Sequence, residues 1–512
     1  MDLALIPGVT IRINESDNVV IVIKPEGLKK QEPWSGNKMA LEHVPMGHKL
    51  ACLNIEQGDP IIRYGVTIGF AKVSIKAGAW VSNSKISMPE PPSLKNLPQP
   101  GTELYTAEPL TGYNFEGYRN KNGSVGTRNV LGIATSVHCV AGLAGHLATL
   151  VKKELLQKYP NVDDVVPINH TYGCGVAIES PLAQIPVRTL RNIIDNPNFG
   201  NQVMILGLGC EKLRPEQLIG EVNSNQSQIL YMQDTDNRGF SEIFEAGLKM
   251  AEEHLSRLNH RKRETCPASK LVVGMQCGGS DGLSGITGNP VAGFASDLIV
   301  RAGGSVLFSE VTEVRDAAHV LAPRMTDKDV LDRFVGELKW YDDYLASGGA
   351  DRSANTTPGN QKGGLSNVVE KALGSVVKSG TSPIVDVISP GEKVKKQGLS
   401  FVATPASDFI CGTLQVAAGM NTHVFVTGRG TPYGLAMLPV VKVSTNSVLS
   451  KRWHDLIDID AGEVALGLKT VEQKGWELFK YILDVASGKK QVACDRLKLH
   501  NDLVLFNPGP VT

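Results

Sequence analysis

VVGMQCGGSDGLSGITGNP, residues 272–290, opens as a short apolar run and closes in a loop with five glycines. The run ends in Gln276 and Cys277, and Asp281 stands four residues beyond the thiol. A short apolar segment bounded by a glycine turn reads as a strand buried on both faces. The same pattern recurs in NVLGIATSV (129–137), DVVPIN (164–169), QVMILGLG (202–209), GSVLFSE (304–310), LSFVATP (399–405) and THVFVTG (422–428). Helical stretches at 140–158 and 180–195 alternate with these runs, and a helix begins near Val471. Alternation of this kind predicts an α/β fold built on a parallel sheet.

Toward the N-terminus the pattern changes. Residues 11–81 contain NVVIVIK, HKLACLNI and IIRYGVTIGFAKV, punctuated by Gly and Pro with no helix between them. They predict a small all-β module. MPEPPSLKNLPQPG (88–101) carries five prolines in fourteen residues and reads as an extended, semi-rigid tether. The expected organisation is an all-β domain over 1–88, a linker over 89–112, an α/β domain over 113–265 and a second α/β domain over 266–512.

At 512 residues the chain can hold several cores. Its 52 basic residues balance 52 acidic ones, so no charge surplus points to nucleic acid or an anionic membrane. No apolar run reaches membrane-spanning length, and the first twenty residues lack the features of a signal peptide. Eight dispersed cysteines without a CxxC pair predict reduced thiols in a cytoplasm.

In open parallel sheets, ligands bind outside the carboxyl ends of the strands. Those positions here carry His138 and Cys139, His170 and Cys174, Cys210 and Glu211, Cys277 and Asp281, Glu310 and Glu313, and Arg429. A lone cysteine is ordinarily a small buried hydrophobe, which suits Cys52, Cys266 and Cys494. Cys174, Cys210 and Cys277 stand beside glycines, so both readings stay open for them. No HExxH, zinc-ribbon or EF-hand spacing occurs. A dispersed set of His, carboxylate and thiol would suit iron or manganese better than calcium, and three dispersed cysteines could hold an iron–sulfur cluster. GRGTPYG (428–434) resembles a dinucleotide turn, but Pro432 interrupts it and no acidic residue follows at the required distance. Arg429 between two glycines reads instead as a guanidinium offered to a carboxylate. SANTTPGNQKGGLSN (353–367) is either an exposed loop or a lining for a polyhydroxy acid, through Asn355, Asn360 and Lys362. His48 and Lys49, in PMGHKLA, reach the strand ends only if the β-module folds over them.

GHKLA, EGYRNKNGSVGTRN, TSVHCVAG, NHTYGCGVAI, GLGCEKL, VVGMQCGGSDGLSGIT, SEVTEVRDA, DRSANTTPGNQKGGL and VTGRGTPYG, in that order, resemble the altronate/galactarate (sugar-acid) dehydratase family over the whole chain. SVHC, EVTEVRDA and DRSAN suggest its galactarate branch. The resemblance implies an N-terminal β-clip (SAF-like) domain, a middle domain used for homodimerisation and a Rossmann-like C-terminal domain. It also implies loss of water from an aldarate with a divalent metal, Fe2+ or alternatively Mn2+. Such a reaction needs a base for the proton alpha to a carboxylate, stabilisation of the enediolate and cations for the carboxylates. We assign proton transfer to His48, His170 and Glu310, substrate contacts to Arg128, Ser280, Asn360, Lys362 and Arg429, and metal ligation to Cys174, Cys277 and Asp281. A sugar-acid sensor and a nicotinamide oxidoreductase are the rival readings.

Overall fold

The computed structural model describes residues 6–105, 107–219, 228–233 and 238–510. Its largest sheet has seven strands: β1 (Val272–Cys277), β2 (Ser305–Ser309), β3 (Ile384–Ile388), β4 (Gly398–Val402), β5 (Thr422–Thr427), β6 (Val440–Ser444) and β7 (Ile459–Asp460). All pair in parallel, in the order β3-β4-β2-β1-β5-β6-β7. The chain fills one side of β1, then crosses from β4 to β5 on the other. That reversal places a switch point at the carboxyl end of β1, the position at which open parallel sheets bind their ligands. The loop after β1 is the opening stretch of sequence, and the loop after β5 is GRGTPYG.

The runs at 270–276, 304–310, 399–405 and 422–428 are β1, β2, β4 and β5, as expected. Three strands escaped the pattern. Asp386 interrupts β3 and Lys442 interrupts β6, breaking each apolar run, and β7 has only two residues. Lys442 is tolerated because it donates to the Tyr433 carbonyl and lies 4.5 Å from the Phe425 ring centroid.

A second parallel sheet forms the middle domain. Its strands Asp164–Ile168, Val130–Thr135, Val203–Gly207 and Ile229–Tyr231 lie in that spatial order, with helices Ala141–Glu154 and Phe240–Asn259 among those covering it. Strand Glu264–Pro267 pairs antiparallel with Asn114–Arg119.

The N-terminal module is antiparallel throughout, and it is docked rather than tethered loosely. Lys49 Nζ donates to both carboxylate oxygens of Glu370, at 2.9 and 2.8 Å, and to the Gly364 carbonyl at 2.7 Å. Arg63 donates to the same carboxylate and, at 2.6 Å, to the Gly282 carbonyl. All three charged side chains are at most 1% exposed. Burial alone would raise the Glu370 carboxyl, but Lys49 and Arg63 outweigh it and hold it at about 2. Burial, helped by the neighbouring Arg63, draws Lys49 below its ordinary value against the pull of Glu370. The three acceptor contacts on its Nζ are those of an ammonium. Asn367 adds a neutral bond to the module, from Nδ2 to the Ile68 carbonyl at 2.8 Å.

Breaking a buried ion pair from one side leaves its partners uncompensated and costs about 3–5 kcal/mol. Glu370→Gln should therefore loosen the module by that order, seen as faster hydrogen exchange over residues 19–22 and 49–51. The Glu370 carboxylate contributes stability above its ordinary pKa of 4.5 that is lost as pH falls toward about 2. Acid release of the module over that window should be blunted in Glu370→Gln, and unchanged exchange at both pH extremes would contradict the docking described.

Candidate active site

The floor of the crevice is the loop that follows β1. Cys277 is 1% exposed, with Sγ 3.0 Å from Ser280 Oγ, and burial pushes its thiol up to about 11. A protonated, enclosed thiol is a poor metal ligand and a poor nucleophile. Asp281 is buried too, which raises its carboxyl, but four donors surround it. They are Leu283 N at 3.1 Å, Ser284 Oγ at 3.0 Å, Thr445 Oγ1 at 3.0 Å and Asn446 Nδ2 at 3.2 Å. Thr445 and Asn446 immediately follow β6, so Asp281 ties the β1 loop to the far half of the sheet.

The glycines serve the same closeness. A Cβ on Gly428 would stand 2.2 Å from Asp281 Cγ, and one on Gly278 would stand 2.5 Å from the Asp408 carboxylate. One on Gly282 would stand 1.9 Å from the Gly47 carbonyl of the β-module. At these three positions protein carboxylates and the module occupy the space that a side chain would need.

Beneath the loop lies a buried cluster of opposed charges at the ends of β2 and β4. Glu310 follows β2 with φ 81° and is 1% exposed. A left-handed conformation at a glutamate is strained, and such strain concentrates at functional sites. Lys378 Nζ lies 3.5 Å from Glu310 and 4.0 Å from Glu313, while Lys371 Nζ lies 2.7 Å from Glu313. Ser375 Oγ donates to Glu313 at 2.7 Å. Burial, then the Glu313 charge, raises the Glu310 carboxyl well above its ordinary value. At Glu313 the two lysines outweigh burial and lower it. Burial and Glu313 also lift Asp408 to about 6. Neighbouring carboxyls driven apart in this way mark an acid–base site.

The β-module closes the crevice from above. His48 Nδ1 accepts from Trp80 Nε1 at 3.2 Å, which leaves Nε2 to donate to the Lys362 carbonyl at 3.1 Å. Both ring nitrogens are thus engaged, and burial lowers the imidazole pKa. Lys362 and Arg429 have exposed side chains, and a Cβ on Gly363 would stand 3.3 Å from Arg429 Cδ, so the two loops adjoin. Asn360 Nδ2 donates to the Ser280 carbonyl at 2.8 Å and its Oδ1 accepts from Thr357 N at 3.0 Å, which makes it a brace between loops.

His48, Cys277, Ser280, Asp281, Glu310, Asn360, Lys362 and Arg429 therefore lie in neighbouring segments where the module meets the carboxyl end of the large sheet. Three other candidates lie elsewhere. Arg128 donates to Asp495 and, at 2.7 Å, to the Ala436 carbonyl, lining a separate cavity of about 820 Å³ with Lys152 and Arg263. His170 and Cys174 follow the middle-domain strand Asp164–Ile168. His170 Nδ1 accepts from Tyr172 N at 3.1 Å and Nε2 donates to the Thr135 carbonyl at 2.7 Å, with burial drawing its pKa to about 4. Cys174 is thus on a different sheet from Cys277 and Asp281. Among the described residues, no three His, Cys, Asp or Glu side chains converge as a single-ion site. The set Cys174, Cys277 and Asp281 does not fit the divalent cation expected of it.

Sequence reading missed Lys371, Lys378 and Asp408. The first two were open to detection, since VVEKALGSVVKSG (368–380) sets charges within an otherwise apolar segment.

Comparison with known proteins agrees with this architecture. Residues 9–89 match the altronate/galactarate dehydratase SAF domain, 117–259 the second domain of D-galactarate dehydratase/altronate hydrolase, and 268–511 the D-galactarate/altronate dehydratase C-terminal domain. The chain belongs to the galactarate/altronate dehydratase family, a family of hydro-lyases. Among individual relatives, it is 54% identical over 508 residues to the galactarate dehydratase (L-threo-forming) of Escherichia coli (strain K12), covering 98% of this chain and 97% of that one. It is 33% identical to the altronate dehydratase of Bacillus subtilis (strain 168), over 98% and 99% of the two chains. The (2R)-sulfolactate sulfo-lyase subunit beta of Chromohalobacter salexigens is 28% identical over 74% of this chain and 94% of its own. No helix among the described residues is long and apolar enough to cross a membrane.

Exposure divides the eight cysteines. Cys139, Cys174 and Cys210 are exposed, whereas Cys52, Cys266, Cys277, Cys411 and Cys494 are buried. Brief alkylation of the native, metal-stripped protein should label the first three and spare Cys277. Rapid labelling of Cys277 would show that its thiol is neither enclosed nor held protonated.

Proposed function

We propose that the chain removes water from galactarate, giving 5-dehydro-4-deoxy-D-glucarate, in the crevice between the β-module and the carboxyl ends of β1, β2 and β5. The observation that carries this placement is Glu310, held at φ 81° and 3.5 Å from Lys378 Nζ, whose carboxyl is raised well above its ordinary value by burial and by the Glu313 charge. Full-length similarity to a galactarate dehydratase supports the choice of substrate over altronate.

The diacid presents a carboxylate at each end. Arg429 receives one through its planar guanidinium and Lys362 helps receive it as a point charge. Ionised Glu310 takes the proton from the carbon alpha to the other carboxylate, and Lys378 keeps the glutamate positioned. The electron pair left on carbon forms the double bond as the beta hydroxyl departs. Protonated Glu310 returns its proton to that hydroxyl, so water leaves and the glutamate is restored. The resulting enol becomes the keto product by tautomerisation. His48 acts as a positioning residue through the Lys362 carbonyl. The divalent cation implied by family resemblance, Fe2+ or Mn2+, enters no step here, because the residues first assigned to it do not meet. Homodimerisation through the middle domain and a cytoplasmic location complete the reading.

Removing a general base costs about 10²–10⁴-fold. Glu310→Gln should lower kcat by that order with KM little changed, and retention of turnover would overturn the assignment. The acid limb of kcat should lie above the ordinary glutamate value of 4.5, since the base must be ionised and its pKa is raised. Arg429→Lys should raise KM more than it lowers kcat, because the clamp acts in ground and transition state alike. An unchanged KM would place Arg429 outside substrate contact.

A further inference from the structure

Cys174 sits at the end of a middle-sheet strand, apart from Cys277 and Asp281. Free cysteine is among the most buried of residue types. The three exposed cysteines all follow neighbouring parallel strands of the middle sheet. Cys139 comes after Val130–Thr135, Cys174 after Asp164–Ile168 and Cys210 after Val203–Gly207, and the first of these strands lies between the other two.

Hydrogen bonds hold the three turns against one another. On one side, His138 N donates to the Tyr172 carbonyl at 3.1 Å, and His138 Nδ1 lies 3.0 Å from the His170 carbonyl. A Cβ on Gly173 would stand 2.2 Å from the Ser136 carbonyl, so the turn carrying Cys174 lies directly on the turn carrying Cys139. On the other side, Ser136 N donates to the Leu206 carbonyl at 3.1 Å, and Ser136 Oγ donates to Glu211. Glu211 also accepts from Leu208 N at 2.9 Å and Gly209 N at 2.6 Å, which fixes the turn that carries Cys210. His170, with both nitrogens bonded to backbone, braces the same place. Helix Ala141–Glu154 starts two residues after Cys139.

We propose that Cys139, Cys174 and Cys210 bind a [4Fe–4S] cluster on the outer edge of the middle domain. The absence of a single-ion site is compatible with this, because cluster thiolates each take a different iron and need not converge on one point. Binding a preformed [4Fe–4S]2+ core replaces three S–H bonds with three Fe–S bonds and releases three protons, with no change of oxidation state. Three cysteines leave the fourth iron without a thiolate, open to water or an oxygen ligand. The inference is independent of the crevice reaction: it concerns another sheet, and its test does not use turnover.

The full-length chain is reconstituted anaerobically with ferrous and ferric iron and sulfide, then desalted. The expected result is about four iron and about four acid-labile sulfide per chain, with broad visible sulfide-to-iron absorption and a paramagnetic signal after one-electron reduction. Cys139→Ser, Cys174→Ser and Cys210→Ser should each lose at least half of the bound sulfide, while Cys266→Ser retains it. Circular dichroism verifies the fold of each variant. If a variant fails to fold, protection of the same three thiols from alkylation in the reconstituted native chain replaces it. Iron bound without sulfide, a disulfide between two of the three cysteines, or no retained iron would each overturn the proposal.

Discussion

One buried carboxylate organises the crevice. Glu370 binds Lys49 and Arg63 of the β-module at once, and the two cations in turn grip the carbonyls of Gly364 and Gly282. Those carbonyls belong to the loops that carry Lys362 and Asp281. A charge triad of this kind stabilises less than its Coulomb energy suggests, because three ions must leave water. Its consequence is registry: the module settles in one place, and His48 then reaches the Lys362 carbonyl. A proline-rich tether alone could not fix that position, although it contributes through Arg315 and Arg352, which donate to the carbonyls of Pro92 and Pro89, each at 2.8 Å.

The two parallel sheets share a rule and differ in its outcome. Each gathers chemistry at the carboxyl ends of its strands. In the seven-stranded sheet those ends are roofed by the module and enclose carboxyls and lysines whose affinities for protons are driven apart. In the middle sheet they stay open and expose thiols. Burial raises the Cys277 thiol to about 11, whereas Cys139, Cys174 and Cys210 face solvent. The same residue type at the same topological position is inert in one sheet and available in the other.

Much of the fold was legible in the sequence. Uninterrupted apolar runs marked four of the seven strands in the large sheet. β3 and β6 were hidden because Asp386 and Lys442 are satisfied by residues far along the chain: Asp386 accepts from Arg333 at 2.7 Å, and Lys442 leans on Phe425. The site was legible as a set of positions rather than as roles. Position after a strand singled out Glu310, Asp281 and Arg429, which follow β2, β1 and β5 of the large sheet. It could not show that Thr445 and Asn446 saturate Asp281, or that Trp80 and Lys362 occupy both nitrogens of His48. It also could not divide the cysteines between two sheets, since strand order is set by packing rather than by local pattern.

The central claim is that substrate is held where the module meets the large sheet. Hydrogen exchange of the full-length chain, followed by mass spectrometry with and without galactarate, tests it directly. The account predicts that galactarate slows exchange together over residues 47–49, 280–283, 360–364 and 428–431. Slowing confined to the middle-domain turns at 136–140, 170–175 and 208–211 would contradict it and move the substrate to the exposed thiols.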